Sequence, residues 1–363
     1  MPDDRRPTRL VASLPPTVPF VAPEALERRR GAKLELRLGA NESAFGPSPR
    51  ALAAMRRELE RSSWYGDPES YDLRNALALH VGVPMESLVV GCGIDDLLGL
   101  TVRTFLEQGD YAVSSLGAYP TFNFHVAGYG GLLEAVPYAG DRNDLHALAE
   151  AARERKARLL YLANPDNPTG SWYDAEALEQ LLNELPEETL LILDEAYLEF
   201  APESGLALRP GDPRLIRMRT FSKAYGMAGQ RIGYAVATPE TIAAFDRVRL
   251  HFGVGRVAQA GALAALHDRG FLEGVLDEVA RGREEYAAAA SALGLHALPS
   301  EANFVAIDLG SPERSRTVVD ALLARGVFVR RPGAPPLDRC IRVTVGTAAE
   351  RRRFAHALQS VLR

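Results

Sequence analysis

The stretch Thr220-Phe221-Ser222-Lys223 follows closely on the run Leu215-Ile216-Arg217-Met218, so a lysine closes a strand-to-loop transition. An amine desolvated at such a point has a lowered pKa and becomes nucleophilic. Ser222 beside it and Arg231, eight positions on, supply a hydroxyl and a guanidinium. Both suit a phosphate, the guanidinium through paired charge-assisted bonds. A second run, Leu190-Leu191-Ile192-Leu193, leads into Asp194-Glu195-Ala196-Tyr197. Asp194 then ends a buried strand, at the edge where open α/β sheets bind ligands. Two readings of it stand. It pairs with a protonated pyridine nitrogen while Tyr197 reaches a phenolic oxygen, or it caps a following helix. After a third run, LLYLA, the segment Asn164-Pro165-Asp166-Asn167-Pro168-Thr169-Gly170 makes a stiff turn from two X-Pro steps and a glycine. Such a turn is either an ordinary loop or a rigid mount for Asn167 as a hydrogen-bond donor. Fourth, Gly91-Cys92-Gly93-Ile94-Asp95-Asp96 leads from LVV into the helical run LLGLTVRTFL. The first backbone N–H groups of a helix entered this way suit an anion.

These groups need a scaffold. Strands are expected at Tyr111–Ser114, Leu132–Val136, Leu159–Ala163, Thr189–Leu193, Leu215–Thr220 and Gly233–Ala237, alternating with helical stretches. Asp174 reads as the N-cap of AEALEQLLNEL, with Leu178, Leu181 and Leu182 on one face. That alternation predicts an α/β fold, a largely parallel sheet with helices on both faces. Ahead of it, ALAAMRRELERS and LRNALALHVG read as amphipathic helices. Residues 1–48 read as an irregular arm broken by prolines, with one helical stretch at Pro23 to Arg30. A large domain is expected over 49–244. After Thr238 a long helical region runs to about Leu293, followed by NFVAIDL, GVFVRR, CIRVTVG and a last helix from Ala348. Residues 245–363 therefore form a smaller α+β domain.

Composition narrows the function classes. The chain has 363 residues, 47% hydrophobic and 25% charged, ample for a sizeable core. A net charge of -5 argues against a nucleic-acid binder with a strongly basic surface. Two distant cysteines, Cys92 and Cys340, make neither a disulfide framework nor a zinc site. No continuous apolar segment reads as a signal peptide or a bilayer span, so a cytoplasmic protein is expected. The seven histidines have no metal-ligand spacing, so no metal is expected. Gly253-Val254-Gly255-Arg256-Val257-Ala258 fits GxGxxA only superficially, since no strand precedes it.

Taken together and in order, Gly-rich turn, aromatic, NPxNPTG, strand-DEAY and TFSK-x7-R resemble the fold-type-I pyridoxal 5′-phosphate (PLP) aminotransferases. Within them the chain is most similar to the histidinol-phosphate aminotransferases. The resemblance runs from Leu38-Gly39-Ala40-Asn41-Glu42 to Ile341-Arg342-Val343-Thr344-Val345-Gly346-Thr347. It implies that Lys223 holds the cofactor as a Schiff base and then shuttles a proton. Asp194 keeps the pyridine nitrogen protonated, Asn167 and Tyr197 bond the ring's phenolic oxygen, and Phe122 stacks on the ring. The backbone amides of Ile94 and Asp95, with Ser222 and Arg231, bind the phosphate. Tyr65 reaches the phosphate of a neighbouring subunit, which implies a homodimer with shared sites. Arg342 grips the acidic group of an amino donor and of a 2-oxo acid, Arg330 and Arg256 add charge, and Asn41 and Phe20 border the substrate. A cis peptide is expected at Asn167–Pro168. The sequence departs from the family's pattern in GCGID, in Gly66 where a proline is usual, and in Phe20 where a tyrosine is common. Transfer between histidinol phosphate and 2-oxoglutarate is the leading expectation. Aromatic amino acid transamination and a threonine-phosphate-type decarboxylation are the alternatives.

Overall fold

The apolar runs singled out above become the interior of one sheet. The computed structural model describes residues 6–15, 21–202 and 211–363. The first part of the chain forms α1 (Arg9–Ser13), α2 (Pro23–Arg30), β1 (Leu36–Arg37), α3 (Pro49–Leu59), α4 (Tyr71–Val81), β2 (Leu88–Gly91) and α5 (Ile94–Phe105). Then come β3 (Tyr111–Ser115), α6 (Pro120–Gly128), β4 (Leu132–Val136), α7 (Leu145–Arg155), β5 (Leu159–Ala163), α8 (Ala175–Glu184) and β6 (Leu190–Asp194). β7 (Leu215–Thr220), β8 (Gly233–Val236), α9 (Pro239–Asp246), α10 (Arg256–Leu266) and α11 (Arg269–Ala292) follow. The chain ends with β9 (His296–Ala297), β10 (Phe304–Asp308), α12 (Pro312–Ala324), β11 (Val327–Phe328), β12 (Cys340–Thr344) and α13 (Ala348–Leu362).

Seven strands lie in the order β2-β8-β7-β6-β5-β3-β4. Only β8 runs against its neighbours; the remaining pairs are parallel. β2 and β7 both oppose β8, so they point the same way, and the C-terminal ends of β2, β5, β6 and β7 share one edge. Along that edge Thr220 stands opposite Gly233, Gly233 opposite Gly91, and Ala163 opposite Asp194. β5 shows why its sequence is continuously apolar. Leu159, Tyr161 and Ala163 pack with Leu97 and Phe122 on one face, while Leu160 and Leu162 pack with Leu148 and Leu178 on the other. A strand covered by helices on both faces has no polar side.

The α/β expectation is borne out, with strand ends within a residue or two of those read from the sequence. The Asp174 side chain accepts from the Ala177 amide, as its N-cap reading required. Two expectations change. The helical region after Thr238 is three helices, interrupted between α9 and α10 around Gly253 and Gly255 and again at Asp268. Of these, α10 packs on α3, so closely that a Cβ at Gly261 would lie 2.7 Å from Met55 Cγ. The arm is not irregular throughout: Leu36 and Arg37 pair in parallel with Val327 and Phe328, which ties it to the C-terminal part. That part holds the antiparallel sheet β9-β10-β12, and α11 meets α13 where Tyr286 stacks edge-on against Phe354 at 5.2 Å.

β7 reads as apolar, yet it carries two arginines inside the protein. Arg217 Nη2 lies 2.9 Å from Glu195 Oε1, and Arg219 Nε lies 2.8 Å from Glu195 Oε2, with all three side chains buried. Burial alone would raise the Glu195 pKa; Arg219 and Arg217 outweigh it and hold the carboxylate below its ordinary range. Replacing Glu195→Gln strands two guanidiniums in the interior, and the unfolding free energy at pH 7 should fall by about 3–5 kcal/mol in a urea titration. Because the folded pKa lies below the unfolded one, this contribution is full above the unfolded value and is lost as pH falls through the folded one. The gap between wild type and variant should therefore close in acid, and a gap independent of pH would contradict the assignment.

Candidate active site

A cavity of about 740 Å³ opens at the shared strand edge. Lys223, Asp194, Asn167, Tyr197, Ser222, Arg231, Ile94, Asp95, Asn41, Arg330 and Arg342 all border it. The turn that carries Lys223 is closed by short-range bonds. The Ser222 amide donates to Thr220 Oγ1 at 3.1 Å, and the Met227 amide to the Phe221 carbonyl at 2.9 Å. Gly226, at φ 68°, passes the arm so closely that a Cβ would lie 2.1 Å from the Gly46 carbonyl oxygen. Lys223 Nζ stands 5.7 Å from the centre of the Tyr197 ring. Burial pushes this amine down to about 8, with Arg342 adding to the shift and Asp95 opposing it.

Next to the lysine is an anion cup. Gly93 enters α5 at φ 88°, and a Cβ there would lie 2.8 Å from Arg231 Nη2. No side chain caps this helix start. Arg231 Nη1 lies 3.4 Å from Ser222 Oγ and Nη2 3.3 Å from Asp95 Oδ2. A guanidinium, a hydroxyl and a bare helix N-terminus around a space that a methyl group would fill suit a phosphate. Asp194, the last residue of β6, accepts from the Ala196 amide at 3.0 Å and from the Tyr161 phenol at 2.7 Å. Burial pushes its pKa up to about 6 against both bonds. A carboxylate desolvated in this way gains most from a cationic partner, and the ring nitrogen of a protonated pyridine is such a partner. It does not serve as the cap of a regular α-helix, because only a short 3₁₀ turn follows.

Phe122 is a correction. It is fully buried, stacks on Tyr161 at 5.1 Å and does not reach the cavity. Tyr119 borders the cavity instead, with its phenol 3.0 Å from Asp95 Oδ1. The reason is local. Tyr119 precedes Pro120 and is held extended at the helix entrance, whereas Phe122 and Val126 form the core stripe of α6. The proline and the i, i+4 apolar pair were the signal for this register.

The cis peptide is also a correction: it lies at Asn164–Pro165, and Asn167–Pro168 is trans. Asn167 nonetheless faces the cavity, since the turn is closed from within. The buried Asp166 carboxylate accepts from the Thr169 amide at 3.1 Å and hydroxyl at 2.7 Å, and the Gly170 amide donates to the Asp166 carbonyl at 2.9 Å. Asn167 Oδ1 accepts from Arg342 Nη1.

Arg342 also donates to the Gly39 carbonyl at 3.1 Å, its Nε is buried without a partner, and burial lowers its pKa to about 10. Arg330 donates to the Val21 carbonyl at 3.0 Å and lies 5.3 Å from the Phe328 ring centre. Among the described residues neither guanidinium has a carboxylate partner. Asn41, at φ 54°, donates to the Tyr197 oxygen at 2.9 Å. Arg256 does not reach the cavity. It is spent on Glu58 at 2.6 Å and on the Trp64 and Tyr65 carbonyls, which it holds together. Tyr65 is 79% exposed, lies 4.9 Å from the Phe252 ring and is not part of its own chain's cavity. Phe20 lies outside the described residues. Unforeseen at the cavity are Tyr161 and the strap Arg331-Pro332-Gly333-Ala334.

The aminotransferase class I and II family model matches residues 34–358. A histidinol-phosphate aminotransferase of Anaeromyxobacter sp. (strain Fw109-5) is 40% identical over 358 residues, covering 97% of this chain and 98% of that one. The crystal structure of histidinol-phosphate aminotransferase from Sinorhizobium meliloti in complex with pyridoxal-5′-phosphate superposes with a TM-score of 0.95 at 49% identity, covering 99% of this chain and 98% of that one. The aspartate aminotransferase of Thermus thermophilus with maleate gives a TM-score of 0.81 at 25% identity, covering 98% of this chain and 100% of that one. The chain belongs to the class I and II aminotransferases.

Proposed function

We propose that this aminotransferase uses PLP, held on Lys223, to move the amino group of histidinol phosphate to 2-oxoglutarate, giving imidazole-acetol phosphate and glutamate. One observation carries the reading: two anion sites border a single cavity. The Gly93–Ser222–Arg231 cup takes the cofactor's phosphate, and the unpaired guanidiniums of Arg342 and Arg330 take the acidic group of the substrate. A guanidinium fork fits a phosphate ester and a carboxylate alike, as an enzyme with two half-reactions requires. The similarity to histidinol-phosphate aminotransferases supports the phosphate ester as the amino donor.

When bound, PLP supplies a carbonyl carbon for amines to attack and a conjugated ring that accepts the electron pair left on the substrate Cα. The chain's own groups do the rest. Lys223 Nζ would take the Cα proton and return it two bonds away, past the shared nitrogen, on the cofactor side. This needs a neutral amine, and burial brings its pKa down to about 8, so that a larger fraction is neutral near physiological pH than for an ordinary lysine. Asp194 keeps the ring nitrogen protonated, and Asn167 and Tyr197 hold the phenolic oxygen. Tyr119 takes the position against the ring that Phe122 was expected to fill.

Tyr65 is exposed and does not line its own chain's cavity. In this reading its phenol completes the phosphate cup of a second copy, with Arg256 bracing the loop from behind. The enzyme is then a homodimer with shared sites, in the cytoplasm. Among the described residues no helix is long and apolar enough to cross a membrane, and both cysteines are free.

Four outcomes test this. Protein loaded with PLP and reduced with borohydride should carry the label on Lys223. With histidinol phosphate and 2-oxoglutarate it should form glutamate, and Lys223→Ala should lose turnover by orders of magnitude. Amine and CO2 as products would indicate a decarboxylase, and faster use of phenylalanine at equal subsaturating concentration an aromatic aminotransferase. In the cofactor-free protein the lysine amine is reactive when neutral, that is, above its pKa. Competitive acylation of Lys223 should therefore rise with a midpoint near 8, where an ordinary lysine titrates near about 10.4. A midpoint at the ordinary value would remove the desolvation argument. Finally, Lys223→Ala and Tyr65→Ala chains, each impaired alone, should recover about a quarter of wild-type activity after reassortment, since half the dimers are mixed and each mixed dimer has one intact site. No recovery would mean that the sites are not shared.

A further inference from the structure

Thr344, the last residue of β12, is buried beside Asn41 and points no group into the cavity. Its hydroxyl oxygen accepts from the Asn41 backbone amide at 3.0 Å. Its own proton goes to Asn41 Oδ1 at 3.1 Å. Asn41 Nδ2 then donates to the Tyr197 oxygen at 2.9 Å. The first bond has a fixed direction, because a backbone N–H can only donate. The hydroxyl oxygen keeps a second lone pair, but its one proton needs an acceptor, and among the described residues that acceptor is Asn41 Oδ1. The carbonyl end of the Asn41 amide must face Thr344, and its NH2 end must face Tyr197. A phenol that accepts from Asn41 keeps its single proton for another partner. Asn41 is held in place besides: Asn303 Nδ2 donates to its carbonyl at 3.2 Å, and the Thr344 amide donates to the Leu38 carbonyl at 2.8 Å.

We infer that Thr344 is a positioning residue that aims the Tyr197 phenolic proton into the cavity by fixing which end of the Asn41 amide faces Tyr197. The inference rests on the cofactor reading above, in which that proton goes to the cofactor's phenolic oxygen. Without the Thr344 hydroxyl the amide is free to turn over. Its carbonyl then faces Tyr197 and takes the phenolic proton away from the cofactor. The other charged groups around Tyr197, namely Lys223, Asp194, Asp166 and Arg342, are untouched by the change.

The test follows the lysine-linked cofactor by its visible absorbance as pH is varied, with no substrate present. A phenolic oxygen that loses a donor binds its shared proton more tightly. Thr344→Val should therefore move the absorbance midpoint up by about one pH unit, the size of one hydrogen bond to a charged group. Thr344→Ser should titrate as wild type. In a Tyr197→Phe background Thr344→Val should add nothing, because the residue it acts through is gone. If the valine variant does not fold, Thr344→Ala against Thr344→Ser makes the same comparison with one oxygen changed. A cofactor reducible onto Lys223 whose midpoint is the same in wild type and Thr344→Val overturns the positioning role alone. A shift that persists undiminished in the Tyr197→Phe background overturns it as well. Failure of PLP to link to Lys223 in the wild type overturns both this role and the cofactor reading.

Discussion

Glu195 holds two arginines of the neighbouring strand inside the protein, and the cavity is hung from that clamp. Asp194 is the residue before it on β6, and Lys223 lies four residues beyond Arg219. A purely apolar contact between β6 and β7 would tolerate small slides, since dispersion has no direction. Charge-assisted bonds between a carboxylate and two guanidiniums do not, because both geometry and desolvation penalise a shift. The carboxylate and the amine of the site therefore stand in a set relation before any ligand arrives. Pre-set geometry of this kind is what catalysis by orientation depends on.

Around that clamp the chain assembles one cavity from three parts. The arm contributes Asn41 and the backbone of Gly39 and Val21, the large sheet contributes the lysine and the acid, and the C-terminal part contributes Arg330 and Arg342. The connections between the parts are polar and specific. Arg339 spans Asp141 and Asp308 at 2.9 Å and 2.7 Å, and Arg342 meets Asn167 across the cavity. The two guanidiniums that border the cavity contrast with Arg217 and Arg219, which share the Glu195 carboxylate. Arg342 and Arg330 rest on carbonyls, on the Asn167 amide and on aromatic faces, with no carboxylate partner among the described residues.

The site was legible in the sequence wherever a group is carried by its own strand end. Asp194, Tyr197, Ser222, Lys223 and the Gly93 turn all follow an apolar run, and a parallel sheet brings such ends to one edge, where Arg231 joins them at the start of the antiparallel β8. It was not legible where a single residue's direction depends on register or on a distant partner. Phe122 and Tyr119 are both aromatics of one short segment, and only the start of α6 decides which one reaches the cavity. Arg256 looked like spare positive charge until Glu58 and the Trp64–Tyr65 carbonyls absorbed it. Nothing in the sequence marks both arginines of β7 as lying inside, because the Glu195 that receives them is at another strand's end.

The sequence by itself determined the alternation of strands and helices, the parallel sheet and the edge on which the chemistry lies. Those properties follow from periodicity, caps and turn residues, which act over a few positions. Only the tertiary structure decided which way Asn167 points, which aromatic lines the cavity, and that Leu36 and Val327 pair across the length of the chain. It also decided that Thr344 on β12 orients Asn41 in the arm, and through it Tyr197 on the large sheet. Each of these depends on which partner fills a hydrogen bond or a void. Such partners are separated by up to hundreds of residues, and local propensity has no access to them.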